Sequence, residues 1–175
     1  MLAAYKQQKA AHETVVKKRR TSAERLAEQA AGFGITVDDW RDERAKLDEI
    51  DTRDERIRAM RAFIERYRGS DMAAEASFDL GVTFAWLADH KADAEALYRS
   101  VIDDYPEALD DRGVPMTAHA QFRLAALLID QGRLEEAKVL HGTLKADHAG
   151  VVHPLGSNTY VNMVEVLLRR AGNSD

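Results

Sequence analysis

Apolar residues recur along most of the chain at the three- and four-residue steps of an α-helix. Ile57, Met60, Phe63, Ile64 and Tyr67 mark one such face, and Leu80, Gly81, Phe84 and Leu124, Ala125, Leu128 mark two others. Stripes of this period predict amphipathic helices that bury one side. β-Branched residues are scattered and nowhere alternate with polar ones over a strand's length, so no sheet is expected. Helix punctuation divides the pattern. Thr21 stands three residues before Glu24, as in a capping box, and Thr36 stands three before Asp39. Gly32-Phe33-Gly34 ends the helix between them. Asp51 begins a segment running to Gly69, Ser70 or Asp71 caps the next, and Asp89-His90 supplies a turn. Pro115 suits a first helical turn. Gly132, Gly150 and Gly172 fall just past apolar-periodic stretches, where C′ glycines stand. The pattern predicts about eight or nine helices joined by short turns, with neighbours antiparallel.

The stripes repeat. Phe78, Leu80, Gly81 and Phe84 share their spacing with Phe122, Leu124, Ala125 and Leu128, 44 residues later. Ala94, Tyr98, Val101 and Pro106 match Ala137, His141, Leu144 and Ala149, 43 residues later, and the single-residue difference falls in the intervening turn. Upstream, Phe63, Ile64 and Tyr67 precede Val101, Ile102 and Tyr105 by 38; downstream, Val164, Leu168 and Gly172 follow Leu124, Leu128 and Gly132 by 40. The spacing has a physical reason. Gly81 and Ala125 on the first helices, and Ala94 and Ala137 on the second, are small enough to admit Phe84, Leu128, Tyr98 and Leu144. A lone hairpin cannot bury such a stripe, whereas stacked hairpins can.

The Leu80-Gly81…Phe84…Ala94…Tyr98…Pro106 string resembles the tetratricopeptide-repeat family. Leu124-Ala125…Leu128…Gly132…Ala137 is a second match, and Gly132-Arg133-Leu134-Glu135-Glu136-Ala137 is very similar to that family's turn and second-helix start. The stretch Phe63-Ile64-Glu65-Arg66-Tyr67-Arg68-Gly69-Ser70 into Ala74 looks like the extended repeats of bacterial envelope proteins, where Pro usually stands at the position of Arg68. The resemblance covers about residues 38–172. Glu165 replaces the small residue of the last repeat, so the final helix is expected to act as a solvating cap. The usual first-helix Trp is missing.

This resemblance implies an all-α, right-handed superhelix (solenoid) of antiparallel helical hairpins, with a repeat domain over residues 36–175; residues 1–35 lie outside the resemblance and read as a basic helical N-terminal segment. It also implies a partner-binding groove lined by the first helix of each hairpin. Carried over by position, the lining is Phe78, Val82 and Ala85, then Phe122, Ala126 and Ile129 with His119 at the edge, then Asn162, Val166 and Arg169. Trp86, next to Ala85, is a further candidate anchor, since Trp is enriched among binding hot spots. The expected ligand is an amphipathic helix or an extended apolar peptide of a protein partner, unless the chain's own N-terminal helix covers the stripe.

Charge sharpens the picture. The 175 residues carry a formal net charge of −5, but residues 1–30 hold Lys6, Lys9, Lys17, Lys18, Arg19, Arg20 and Arg25 against Glu13, Glu24 and Glu28. The remainder is therefore acidic, at −9. An acidic body steers basic partners and argues against nucleic acid. Lys17-Lys18-Arg19-Arg20 is read as a solvated helix face near a helix end, with nucleic-acid contact, a targeting patch or a juxtamembrane anchor against anionic lipid as the functional alternatives. With no cysteine, thiol chemistry of every kind is excluded. No apolar leader follows Met1, so the default location is the cytoplasm; a processed fragment would be compatible with the periplasm or envelope.

Nothing nominates a reaction, a cofactor or a small-molecule substrate. His141, Asp147, His148 and His153 crowd one helix end, but metal-site spacings are absent and His141 occupies an aromatic packing position. Asp38-Asp39, Asp103-Asp104 and Asp110-Asp111 read as solvated loop and cap residues. Gly32-Phe33-Gly34 lacks the third glycine of a dinucleotide fingerprint, and no P-loop or GxSxG occurs. The reading is a non-enzymatic interaction scaffold. Its alternative is a structural or accessory subunit of a bacterial envelope complex, with the N-terminal helix as anchor or oligomerisation arm.

Overall fold

A computed structural model describes residues 22–153 and 158–172. The described residues form eight helices and no β-strand. Helix α1 covers residues 22–32. It is followed by α2 (Val37–Asp48), α3 (Arg53–Arg66), α4 (Asp71–Ala85), a 3-10 turn (Ala88–His90), α5 (Lys91–Asp104), α6 (Met116–Asp130), α7 (Leu134–His148) and α8 (Tyr160–Gly172). The Thr21 box and the Lys17–Arg20 cluster lie outside the described residues.

The helix ends follow local chemistry. Thr36 Oγ1 accepts from the Asp39 N–H at 3.1 Å, and the Asp39 carboxylate accepts from the Thr36 N–H at 2.9 Å, closing the capping box of α2. Ser70 Oγ accepts from the Ala73 N–H at 3.2 Å and caps α4. Gly132 has φ +74°; its N–H reaches the Ile129 carbonyl, and the Arg133 N–H reaches the Leu128 carbonyl at 2.8 Å. Those two bonds satisfy the last carbonyls of α6 in the Schellman arrangement. Gly34 ends α1 in the same way, through Ile35 and Ala30. Gly150 differs from expectation. It has no positive φ, because α7 ends on Ala149 in right-handed geometry and the Val151 N–H turns back to the His148 carbonyl. Pro115 stands one residue earlier than expected, as the N-cap of α6.

The helices stack as an α-α solenoid. Helix α3 packs on α4, α4 on α5, α5 on α6, α6 on α7 and α7 on α8, while α6 also touches both α4 and α8. The small positions of the repeat are sealed: Ala94, Ala125 and Ala137 are fully buried, beside Phe84, Tyr98, Leu128 and Leu144. Burial of that repeated stripe is the main force holding the hairpins together.

The 44-residue period contains more than two helices. The segment 105–115, between α5 and α6, folds back on itself: the Asp110 N–H reaches the Val114 carbonyl at 2.9 Å and the Met116 N–H reaches the Ala108 carbonyl at 2.8 Å. Between α7 and α8 the same two bonds recur, from the His153 N–H to Asn158 at 3.0 Å and from the Tyr160 N–H to Val151 at 3.1 Å. Isolated bridges pair Leu109 with Pro115 and Val152 with Thr159. Each repeat is therefore a helical hairpin plus a short backbone-paired loop.

Helix α1 is fastened to this body. The Arg25 side chain pairs with Asp71 at 2.9 Å, Gln29 Oε1 accepts from the Asp71 N–H at 2.9 Å, and the Ser22 hydroxyl donates to the Asp110 carbonyl at 2.7 Å. Ala30 is buried, and the Phe33 ring meets Tyr67 edge-on at 5.2 Å.

Candidate partner-binding face

One face of α4 and α6 lines two hollows that lie end to end and share Arg123. Each has a volume of about 400 Å³. Residues 75, 79, 82 and 86 follow the i, i+4, i+7, i+11 rule of one helical stripe, and residues 119, 123, 126 and 130 are their counterparts one repeat on. Equivalent positions thus carry different chemistry: Glu75 matches His119, Asp79 matches Arg123, and Trp86 matches Asp130.

The first hollow is polar. It is lined by Glu75, Phe78, Asp79, Asp110, Asp111, Arg112, His119, Phe122, Arg123 and Tyr160, among others. His119 Nε2 lies 3.2 Å from Asp110 Oδ2, and the Tyr160 hydroxyl lies 2.7 Å from His119 Nδ1. With the proton on Nε2, His119 donates to the carboxylate and accepts from the phenol, so one tautomer satisfies all three groups. Asp110 Oδ1 also accepts from the N–H groups of Arg112 at 2.9 Å and Val114 at 2.7 Å. Burial pushes the Asp110 carboxyl up, but the His119 and backbone hydrogen bonds outweigh it and hold the group below the ordinary carboxylate range. Asp79 meets Arg44 of α2 at 2.6 Å, and here burial prevails, raising its carboxyl despite that partner. Glu75 has no hydrogen bond or ion pair among the described residues. Burial, reinforced by Asp79 and opposed by Arg44, raises its carboxyl to about 7.

The second hollow is a trough walled by Val82, Ala85, Trp86, Tyr98, Ala126 and Leu127, with Lys91 paired to Asp130 at its far end. Trp86 is 83% exposed. A third hollow of about 270 Å³ lies over α8, between Phe122, Asn162, Met163, Val166 and Leu167.

The residues read from the sequence as groove lining are therefore distributed. Phe78, His119 and Phe122 meet at the first hollow, Val82, Ala85, Trp86 and Ala126 at the second, and Asn162 and Val166 at the third. Ile129 is partly buried against the core instead. Arg169 is exposed and pairs with Glu165. Phe122 is only 8% exposed and packs against Tyr160 at 5.3 Å, so most of its ring supports α8. The sequence pattern did not single out Glu75, Asp79 or Arg123, and it read Asp110 as a solvated loop residue. The shared 44-residue offset was the signal for the first three. For Asp110 there was none, because its role depends on the loop hairpin.

Residues 75–108 match the family model of the tetratricopeptide repeat. That stretch is the α4–α5 hairpin, and α6–α7 repeats its register and its buried positions. Residues 75–108 thus form a tetratricopeptide-repeat-like hairpin within the solenoid. No curated relative and no solved structure matches it. A tetratricopeptide repeat marks a protein–protein interaction module. Among the described residues no helix is long and apolar enough to cross a membrane.

Proposed function

We propose that this tetratricopeptide-repeat-like protein is a non-enzymatic scaffold that holds a segment of a protein partner along the α4–α6 face. The observation that carries the reading is Trp86, which stands 83% exposed at the edge of the trough formed by Val82, Ala85, Ala126 and Leu127. A large aromatic ring left in water beside an apolar trough gains by being covered, and Trp is the side chain most enriched where binding energy concentrates. The row Tyr160–His119–Asp110 favours packing over catalysis, since Tyr160 is fully buried and its hydroxyl is engaged by His119.

The test compares wild type with Trp86→Ala/Ala126→Asp as baits in an extract of the source cell, with thermal melting of both. Recovery of a protein by wild type alone, at unchanged melting temperature, is the expected result. Equal recovery by both baits would overturn the assignment of this face. Phe122→Glu is unsuitable as a probe, because its burial against Tyr160 couples binding to folding.

A further inference from the structure

The α4–α6 face differs at its two ends, and the difference bears on what it holds. The inference rests on the binding role proposed above. At one end stand Glu75, Asp79, Asp110 and Asp111; at the other stand Val82, Ala85, Trp86 and Ala126. The carboxylates are not equivalent. Asp79 is held by Arg44 and Asp110 by His119, whereas Asp111, among the described residues, meets only its neighbour Arg112, at 3.7 Å, and is 75% exposed. Glu75 has no partner among the described residues, and Asp79, Asp111 and Asp110 all act on it with the same sign, opposed by Arg44. A half-buried carboxylate beside three others favours an incoming cation. The aromatic rings of Phe78 and Phe122 wall the same hollow. Between the two ends sits Arg123, exposed, with its guanidinium 5.9 Å from the Phe122 ring centre.

We propose that this face takes its partner segment in one orientation, with a Lys or Arg side chain at the Glu75–Asp79–Asp111 end and apolar side chains against Val82, Trp86 and Ala126. The occupant is a segment of another protein that is basic at one end and apolar at the other. Arg123 sets the register by repelling a basic side chain placed midway, which is the unfavourable contact that specificity needs. Glu75 and Trp86 are eleven positions apart on the α4 stripe, or about 16 Å at 1.5 Å per residue. An extended ligand spans that distance in about five residues, and a helical ligand in about eleven.

The experiment is phage display of random 12-residue peptides on the immobilised full chain. Fluorescence anisotropy of a selected synthetic peptide then compares wild type with Glu75→Gln/Asp111→Asn and Trp86→Ala. The expected selection carries Lys or Arg about five or eleven positions from a large apolar residue. The expected weakening is at least fivefold in both variants, and the peptide synthesised in reversed residue order should lose binding. Weakening by Trp86→Ala alone would overturn the orientation while leaving the binding face in place. Full binding to both variants would remove the face as well. Selection that succeeds only after Lys17, Lys18, Arg19 and Arg20 are changed to Gln would make the chain's own basic segment the occupant and overturn the assignment to a partner.

Discussion

A Cβ added to Gly81 would lie 2.8 Å from Cε1 and 3.1 Å from Cδ1 of Tyr98, closer than packed atoms approach. Helix α4 accepts a mid-helix glycine, at a cost of about 1 kcal/mol relative to alanine, because the Tyr98 ring of α5 fills the space a side chain would need. Tyr98 is 1% exposed, its ring held against α4. Gly81→Ala is expected to destabilise by up to about 2 kcal/mol, the overpacking penalty less the helix-propensity gain. Gly81→Val should cost more. Urea unfolding measures both, and adding Tyr98→Leu to Gly81→Ala should give less than the sum of the single losses.

Glu75 gives the stability a pH dependence of known sign. Its carboxyl is raised from 4.5 to about 7, first by burial and then by Asp79, so the folded state favours the protonated form. That contribution is fully present below pH 4.5 and is lost as pH rises through about 7. Glu75→Gln mimics the protonated group. It is expected to stabilise the protein by about 1–3 kcal/mol at pH 8 and to leave stability unchanged below pH 4.5. Thermal melting across that range tests it, and an equal effect at both ends would contradict the assignment.

The Asp110–His119–Tyr160 row joins the α5–α6 loop to α6 and α8. Asp110→Ala removes the acceptor for His119 and for the Arg112 and Val114 N–H groups, and is expected to cost about 2–3 kcal/mol at pH 7. Because hydrogen bonding holds the Asp110 carboxyl below its ordinary value of 3.8, that loss should shrink as pH falls through and below it. Tyr160→Phe should cost about 1 kcal/mol. Chemical denaturation at pH 7 and pH 3 checks both.

Helix α1 belongs to the folded body through Asp71, which is 4% exposed and pairs with Arg25. Arg25→Met leaves that carboxylate at the N-terminus of α4 with the helix dipole alone, at an expected cost of about 1–2 kcal/mol. Hydrogen exchange should then quicken in residues 22–32 before it does in α4–α7.

The helices were legible because each one repeats the same packing problem. Gly81 and Ala94 read as small residues at close approaches; the Tyr98 ring fills the space a Cβ on Gly81 would need, and Ala94 is fully buried. Gly34 and Gly132 read as helix stops, and both adopt positive φ. The site was legible only in part. Val82, Ala85 and Ala126 were carried over by position from the tetratricopeptide-repeat resemblance, and Trp86 was added for its place beside them. The polar hollow was not legible, since Asp110 reaches His119 through the backbone-paired loop 105–115, whose hydrogen bonds leave no periodic trace. Glu75 was not singled out, because its burial depends on α1, α2 and the loop converging on α4.

The most direct measurement follows Trp86 itself. Trp40 is 7% exposed and its indole N–H has no hydrogen-bond partner among the described residues, so Trp40→Phe, checked by thermal melting for the loss of buried ring volume, leaves Trp86 as the single tryptophan reporter. Titration of Trp40→Phe protein with the partner captured by wild type should shift the emission to the blue and saturate at the same concentration as binding. An emission spectrum unchanged at full saturation would place the partner elsewhere and contradict the α4–α6 face as its site.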